Sequence, residues 1–276
     1  MSDSVEVFLN GGVGNQLFGW AAAQTLAENL NVPLTLNISN LSHRGFQLQK
    51  LDLGACHISD KASYIYSIKS ELLRAIYRKT LLSSDFFEKS FGYDHRLGSV
   101  HKPIRLHGYF QSFKYFVGNP KIRDTLSNPC VTSLEYEKLK SSLDLNNSLA
   151  IHIRRGDYLQ NLDYHGVVGA PYYMEALQLS KTTCGSKSLV VFTDDLIEAK
   201  RTVPNAAAYV TSETLPSPLE NILLMSQFSG LIGANSSFSY WAGVIMESNF
   251  KVFPKKWFAT STVSTQDLLP PDFLTL

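Results

Sequence analysis

The chain reads as an α/β protein of the doubly wound kind, with helices packed on parallel sheets. Two stretches predict this. From Val5 to Ile38 an apolar strand, a glycine-rich turn, a helix and a second strand make one βαβ unit, and from Ser148 to Pro254 the same alternation resumes. A third observation concerns chemistry. In the second stretch, strand after strand ends in charged or hydroxyl residues, as expected where strand C-termini line a ligand crevice.

Taken in order, Val5 to Leu9 is a strand, Asn15 to Leu30 a helix with Phe18, Ala22, Leu26 and Leu30 on one stripe, and Pro33 to Ile38 a second strand. Residues 40 to 145 are harder to parse, because aromatics (Tyr64, Tyr66, Tyr77, Phe86, Phe87, Phe91, Tyr93) interleave with Lys69, Arg74, Arg78, Lys79 and Lys89. Helices are predicted over Ser67 to Leu82 and Ser133 to Leu143. Then come a strand from Ser148 to Ile153, a helix from Pro171 to Ser180, a strand from Ser188 to Thr193 and a helix from Asp195. A helix from Pro218 to Phe228, a strand from Gly230 to Ala234, a helix from Phe238 to Glu247 and a strand from Phe250 to Pro254 follow. There is no internal repeat. The polar turn-forming stretch Asp144 to Ser148 is the natural linker and divides the chain into domains 1–145 and 146–276.

At 276 residues the chain is long enough for one large or two modest domains. With 25 Lys+Arg against 24 Asp+Glu it has no global basic field to draw it to nucleic acid. Cys56, Cys130 and Cys184 are scattered, odd in number and outside any Cys-x-x-Cys pattern, so neither a disulfide framework nor a zinc site is expected. The first residues lack the basic start and apolar core of a secretory leader, and no segment approaches the roughly 20 apolar residues of a spanning helix. The expectation is a soluble, cytoplasmic protein. Asn-x-Ser sequons begin at Asn37, Asn40, Asn146 and Asn235. A glycan at the last would block a predicted ligand loop, which favours a cell that leaves it unmodified.

Four segments carry the chemistry. In Ala150 to Tyr158 an apolar strand stops at Arg154, Arg155, Gly156 and Asp157, where planar guanidinium forks match diphosphate oxygens. Surface ion pairing is the bland alternative, and an Arg-Gly-Asp adhesion tripeptide is disfavoured by the buried lead-in. In the first turn, Asn10 to Phe18, Gly12 and Gly14 let backbone N–H groups approach a ligand. A third glycine is missing for a dinucleotide fingerprint, and no Gly-Lys-Ser/Thr follows. Asn15 and Gln16 either bond sugar hydroxyls or phosphate oxygens, or cap the helix. Asp194 and Asp195 end the next strand, where they either accept from a ribose or guanine, cap a helix or chelate a divalent metal; arginine counter-charges make the metal unnecessary. Asn235, Ser236, Ser237 and Phe238 open a helix whose N-terminus suits an anion, while Phe238, Tyr240 and Trp241 are expected to anchor that helix in the core.

Together and in this order, these segments resemble glycosyltransferase family 11, the α-1,2-fucosyltransferases, across nearly the whole chain. The resemblance implies two Rossmann-like domains facing a cleft, the GT-B type, with an acceptor-side domain carrying a helical insertion followed by a GDP-fucose-binding domain. It implies GDP-fucose as donor, no cofactor and no obligatory metal, and inverting transfer of L-fucose to the 2-hydroxyl of a terminal galactose. The acceptor would be a galactose-terminated oligosaccharide or a lipid-linked glycan. Thr193 stands where the family often has serine, and Tyr240 where it often has tryptophan.

On this reading Arg154 stabilises the departing diphosphate, Arg155 anchors structure, and Ser236 and Ser237 with nearby amides hold the phosphates from the other side. Asp194 or Asp195 would bind the nucleoside. The base is one of Asp157, Asp163 and His165, while His152 orients Arg154 or fills the core. The interleaved aromatic and basic residues from Tyr64 to Tyr93 line the acceptor entrance or touch a membrane surface, the inner face if peripheral, or else form a helical subdomain with its own small core and a solvated basic face. The alternatives to a fucosyltransferase are a GDP-sugar or glycan-binding protein without turnover, and a dinucleotide-dependent Rossmann enzyme.

Overall fold

The computed structural model describes residues 3–41, 44–63, 68, 70, 84–156, 166–259, 265 and 267–276. The chain divides into two compact units, Met1–Thr125 with Thr265–Leu268, and Leu126–Ser264 with Leu269–Leu276.

The first unit carries β1 (Val5–Phe8), α1 (Val13–Leu30), β2 (Leu34–Asn37), β3 (Cys56–Ser59), β4 (Asp85–Phe87) and β5 (Arg105–His107). These form a five-stranded parallel sheet in the order β3-β2-β1-β5-β4. The helix α1 is buried almost all round, including Leu17, Phe18, Trp20 and Ala21, where a single stripe was expected. Small residues permit this. At Gly19 a Cβ would lie 3.2 Å from Leu9 and 3.5 Å from Val7, so glycine lets the helix settle onto β1. Helix α2 (Pro120–Ser127) follows this unit's last strand.

The second unit contains α3 (Leu134–Ser142), β6 (Ser148–Ile153), α4 (Ala170–Cys184), β7 (Ser188–Thr193), α5 (Leu196–Thr202), β8 (Ala208–Val210) and α6 (Pro218–Met225). It closes with β9 (Leu231–Ile232), α7 (Ser237–Ile245), β10 (Lys251–Phe253) and β11 (Leu274–Thr275). Its six strands are parallel in the order β11-β10-β9-β6-β7-β8. Strand β6 is buried along its whole length, and Leu149, Ile151 and Ile153 pack with Val191, Ile232, Val252 and Tyr173. A continuous apolar run is what a parallel strand covered on both faces requires.

The division falls after Thr125, not after residue 145. Helix α3 belongs with the second unit because Glu220, buried in α6, accepts from the Ser133 N–H at 2.6 Å and the Ser133 hydroxyl at 2.8 Å. Gln227 adds a bond to the Tyr136 hydroxyl at 2.8 Å. The helix predicted over Ser67 to Leu82 lies almost wholly outside the described residues, as do Arg74, Arg78 and Lys79. No helix among the described residues is long and apolar enough to cross a membrane.

Candidate active site

Parallel pairing sets the site of the second unit. Ile153 of β6 is in register with Thr193 of β7, so the residues that follow, Arg154 and Asp194, emerge side by side. The Asp194 carboxylate accepts from Arg154 Nη1 at 2.8 Å and from the Arg155 backbone N–H at 2.9 Å. At Gly156 a Cβ would stand 2.5 Å from Asp194 Oδ2, so only glycine lets the chain turn this closely over the carboxylate. Arg154 keeps about a quarter of its side chain in solvent (25%) and presents its fork at the strand end. Arg155, equally exposed at 24%, pairs with carboxylates at the start of α5 instead. Its Nη1 meets Glu198 at 3.1 Å and its Nε faces Asp195 across 3.8 Å, which fits an anchoring role.

The two carboxylates are thus already occupied. Asp194 organises the arginine loop, and Asp195 is the N-cap of α5, accepting from the Glu198 N–H at 3.0 Å. The capping alternative holds for Asp195. Thr193 bonds the same turn, its hydroxyl accepting from the Asp195 N–H at 2.9 Å and donating to the Asp195 carbonyl at 3.1 Å, a task any hydroxyl residue performs. Among the described residues no group of three or more His, Cys, Asp or Glu side chains is placed to hold a metal.

His152 lies inside the sheet, within β6 and two residues before Arg154. It is 2% exposed, its Nδ1 has no hydrogen-bond partner among the described residues, and burial with the nearby Arg154 charge pushes its pKa down to about 3. It is therefore a neutral ring at physiological pH. Its ring centroid lies 5.2 Å from that of Phe238, which links β6 to the start of α7. There Ser236 is the N-cap, accepting from the Phe238 N–H at 3.3 Å, and Asn235 donates to the Trp257 carbonyl at 2.8 Å and the Gly166 carbonyl at 3.3 Å. Asn235 and Ser236 are 3% and 5% exposed, so they build the turn, and the half-buried Ser237 and Phe238 form its outer face. Tyr240 and Trp241 are core anchors, as expected. The sequons at Asn37 and Asn235 sit on buried asparagines and are closed to a glycan in the folded chain. Asp157, Asp163 and His165 lie outside the described residues.

In the first unit the glycine turn is built differently from the expectation. Gly12 caps α1 through its backbone alone, its carbonyl accepting from the Asn15 and Gln16 N–H groups at 3.0 Å. Gly14 is buried within the helix's first turn. Gln16 points into the fold. Fully buried, it donates to the Gly11 and Gly45 carbonyls and accepts from the Gln47 N–H, all at 3.0 Å, which closes the turn against the following loop. Asn15 stays half-buried and accepts from Gln111 Nε2 at 2.7 Å. Gln111 belongs to a loop after β5, 108–112, that no motif in the sequence marks. That loop was hidden because β5 is a three-residue strand with no alternation to announce it.

A family model for glycosyl transferase family 11 matches residues 4–273. The chain belongs to that family. An Escherichia coli α-1,2-colitosyltransferase is 26% identical over 95% of each chain. A galactoside 2-α-L-fucosyltransferase of Caenorhabditis elegans is 23% identical over 95% of this chain and 74% of its own. Among solved structures, the α-1,6-fucosyltransferase NodZ of Bradyrhizobium, co-crystallised with GDP, matches with a TM-score of 0.55 at 14% identity, over 89% of this chain and 93% of its own. The two parallel α/β units are those of the GT-B fold.

Proposed function

We propose that this family 11 glycosyltransferase moves L-fucose from GDP-fucose to the 2-hydroxyl of a terminal galactose, with inversion. The observation that carries the reading is the Arg154 fork, held at the end of β6 by Asp194 and joined through His152 and Phe238 to the N-terminus of α7. A guanidinium and a helix N-terminus supply preorganised positive charge where a nucleoside diphosphate departs. The NodZ complex with GDP and the galactoside 2-α-L-fucosyltransferase relative support the donor and the linkage. The galactose hydroxyl attacks the anomeric carbon of β-linked fucose as the bond to the diphosphate oxygen breaks. Its proton passes to a base sought among Asp157, Asp163 and His165. The setting is the cytoplasm, with a galactose-terminated oligosaccharide or lipid-linked glycan as acceptor and peripheral membrane contact in the latter case.

A second reading has one specific support, the colitosyltransferase relative. Colitose is fucose without its 3-hydroxyl, and a site built to bond that hydroxyl rejects the analogue lacking it by orders of magnitude. Incubating the protein with GDP-fucose or GDP-colitose and a panel of galactosides, then reading the product linkage by NMR, decides between them. Transfer of colitose alone, or a linkage other than α-1,2, overturns the proposal.

A further inference from the structure

The loop after β5 is held in an unusual way. Glu88 Oε2 accepts from the backbone N–H of Tyr109 at 2.8 Å and of Phe110 at 3.0 Å, while Oε1 receives the Tyr115 hydroxyl at 3.4 Å. Phe110 takes a left-handed backbone, φ +53°, which costs a non-glycine residue free energy. Its fully buried ring, edge-on to Tyr115 at 5.4 Å, helps hold it there. At Gly108 a Cβ would lie 2.6 Å from Glu88 Cβ, so glycine lets the carboxylate come up under the loop. Two amides stitch the loop to the glycine turn: Asn10 Nδ2 donates to the Gly108 carbonyl at 3.4 Å, and Gln111 Nε2 to Asn15 Oδ1. Asn40 reaches Asn10 Oδ1 at 3.4 Å. The outcome of this bracing is that Tyr109 is 43% exposed on a loop whose two flanks, Gly108 and Gln111, are each bonded to the glycine turn through a side-chain amide.

Core packing does not explain why a solvent-facing tyrosine should be presented on a braced, strained backbone. An exposed aromatic ring on a loop that also carries amide groups suits a neutral pyranose, whose C–H face stacks on a ring and whose hydroxyls bond amides. We propose that residues 108–112 form a subsite for the terminal galactose of the acceptor, with Tyr109 as the stacking platform and Glu88 as the residue that positions it. The inference rests on the proposed transfer to a galactoside for the identity of its ligand.

Two measurements keep the subsite and the reaction separable: lactose binding by saturation-transfer NMR, and GDP binding by calorimetry. Wild type is expected to bind lactose, with Tyr109→Ala losing about tenfold in affinity and Tyr109→Phe retaining it. Glu88→Ala should follow Tyr109→Ala, whereas Glu88→Gln, which keeps an acceptor for both N–H groups, should restore most of the binding. GDP affinity should stay unchanged throughout, and in turnover the loss should fall on the acceptor KM with kcat preserved. Lactose binding indifferent to Tyr109, GDP binding weakened in parallel, or no lactose binding by wild type overturns the subsite. Tyr109-dependent lactose binding by a protein that consumes no GDP-fucose would leave the subsite standing and remove the proposed function.

Discussion

The strand ends of the two units are furnished with opposite chemistry. In the second unit the ends of β6 and β7 carry Arg154, Arg155, Asp194 and Asp195, each engaged with an opposite charge or a helix cap. In the first unit the equivalent edge carries Asn10, Asn15, Asn40 and Gln111, joined amide to amide and amide to carbonyl, with Arg44 the charged neighbour of the turn at Gly12. A buried carboxylate lies below, where His107 stacks between Phe8 and Phe87 at 4.5 and 4.4 Å and bonds Asp85 at 2.8 Å. A charged edge suits a diphosphate and an amide edge a neutral sugar, because guanidinium forks pair with anions while amides both donate and accept. One fold, used twice, thus presents two chemistries at its strand ends, and the proposed function assigns the charged one to the leaving group and the amide one to the acceptor.

The comparison breaks most sharply at Arg154. If the charged edge acts on the leaving group, Arg154→Ala should lower kcat by roughly two to three orders of magnitude with the fold intact, and Arg154→Lys should recover little, since lysine keeps the charge and loses the fork. Steady-state kinetics at saturating GDP-fucose, alongside circular dichroism, checks this. Near-normal turnover by the alanine variant would sink the role.

A smaller effect is expected one residue pair away. Asp194→Ala removes the partner of the Arg154 fork and the acceptor of the Arg155 N–H. The arginine remains but is no longer aimed, so kcat should fall by about tenfold to a hundredfold. Gly156→Ala should follow in the same direction, because its methyl would collide with Asp194 Oδ2. Turnover unaffected by both substitutions would show that Arg154 needs no positioning.

The same contrast governs what was legible beforehand. Strands β6 and β7 are six-residue strands built on the apolar runs Leu149-Ala150-Ile151 and Leu189-Val190-Val191-Phe192, and their limits follow from the residues alone. Strands β3, β4 and β5 read Cys-His-Ile-Ser, Asp-Phe-Phe and Arg-Leu-His; they exist through register with β1 and β2 and through the stacking of His107, all set by distant residues. In the site, Arg154 and Arg155 stand out because charge abruptly ends an apolar strand. The roles of Asp194 and Gln16 do not, because the first depends on the pairing of β6 with β7 and the second on carbonyl and N–H groups at Gly45 and Gln47. The bracing of Tyr109 by Glu88 is hidden for the same reason: the residues are remote in sequence and joined by strands too short to predict.

Acid should distinguish the units next. Buried neutral His152 has a folded pKa of about 3 against an ordinary 6.5, so the unfolded chain binds the extra proton between those values and stability falls as pH drops through that window. The loss approaches about 1.4 kcal/mol per pH unit. For Asp85, burial pushes the pKa up, but bonds from His107 and Arg105 outweigh it and bring it below the ordinary 3.8. Its contribution is present above that value and is lost only as pH falls through the lower folded one. His152→Phe, which keeps a buried ring, should therefore gain on wild type between pH 7 and pH 5 in urea denaturation, whereas Asp85→Asn should run parallel to wild type over that range. Parallel curves for His152→Phe would mean that folding does not lower the proton affinity of the ring.

The smallest expected effect is that of a chelator. At the charged edge the two carboxylates best placed to hold a divalent ion are already committed, Asp194 to Arg154 and the Arg155 N–H, and Asp195 to the cap of α5. A cation recruited there would have to displace a guanidinium from Asp194 and would then repel the fork that the diphosphate needs. On the proposed function the Arg154 guanidinium and the first turn of α7 would supply the counter-charge instead. Initial rates in excess EDTA are thus expected to stay within about twofold of those without it. Complete loss of transfer with EDTA, restored by manganese or magnesium, would show that the arginine edge does not neutralise the leaving diphosphate alone. Asp194 would then have to exchange its guanidinium partner for the metal during turnover.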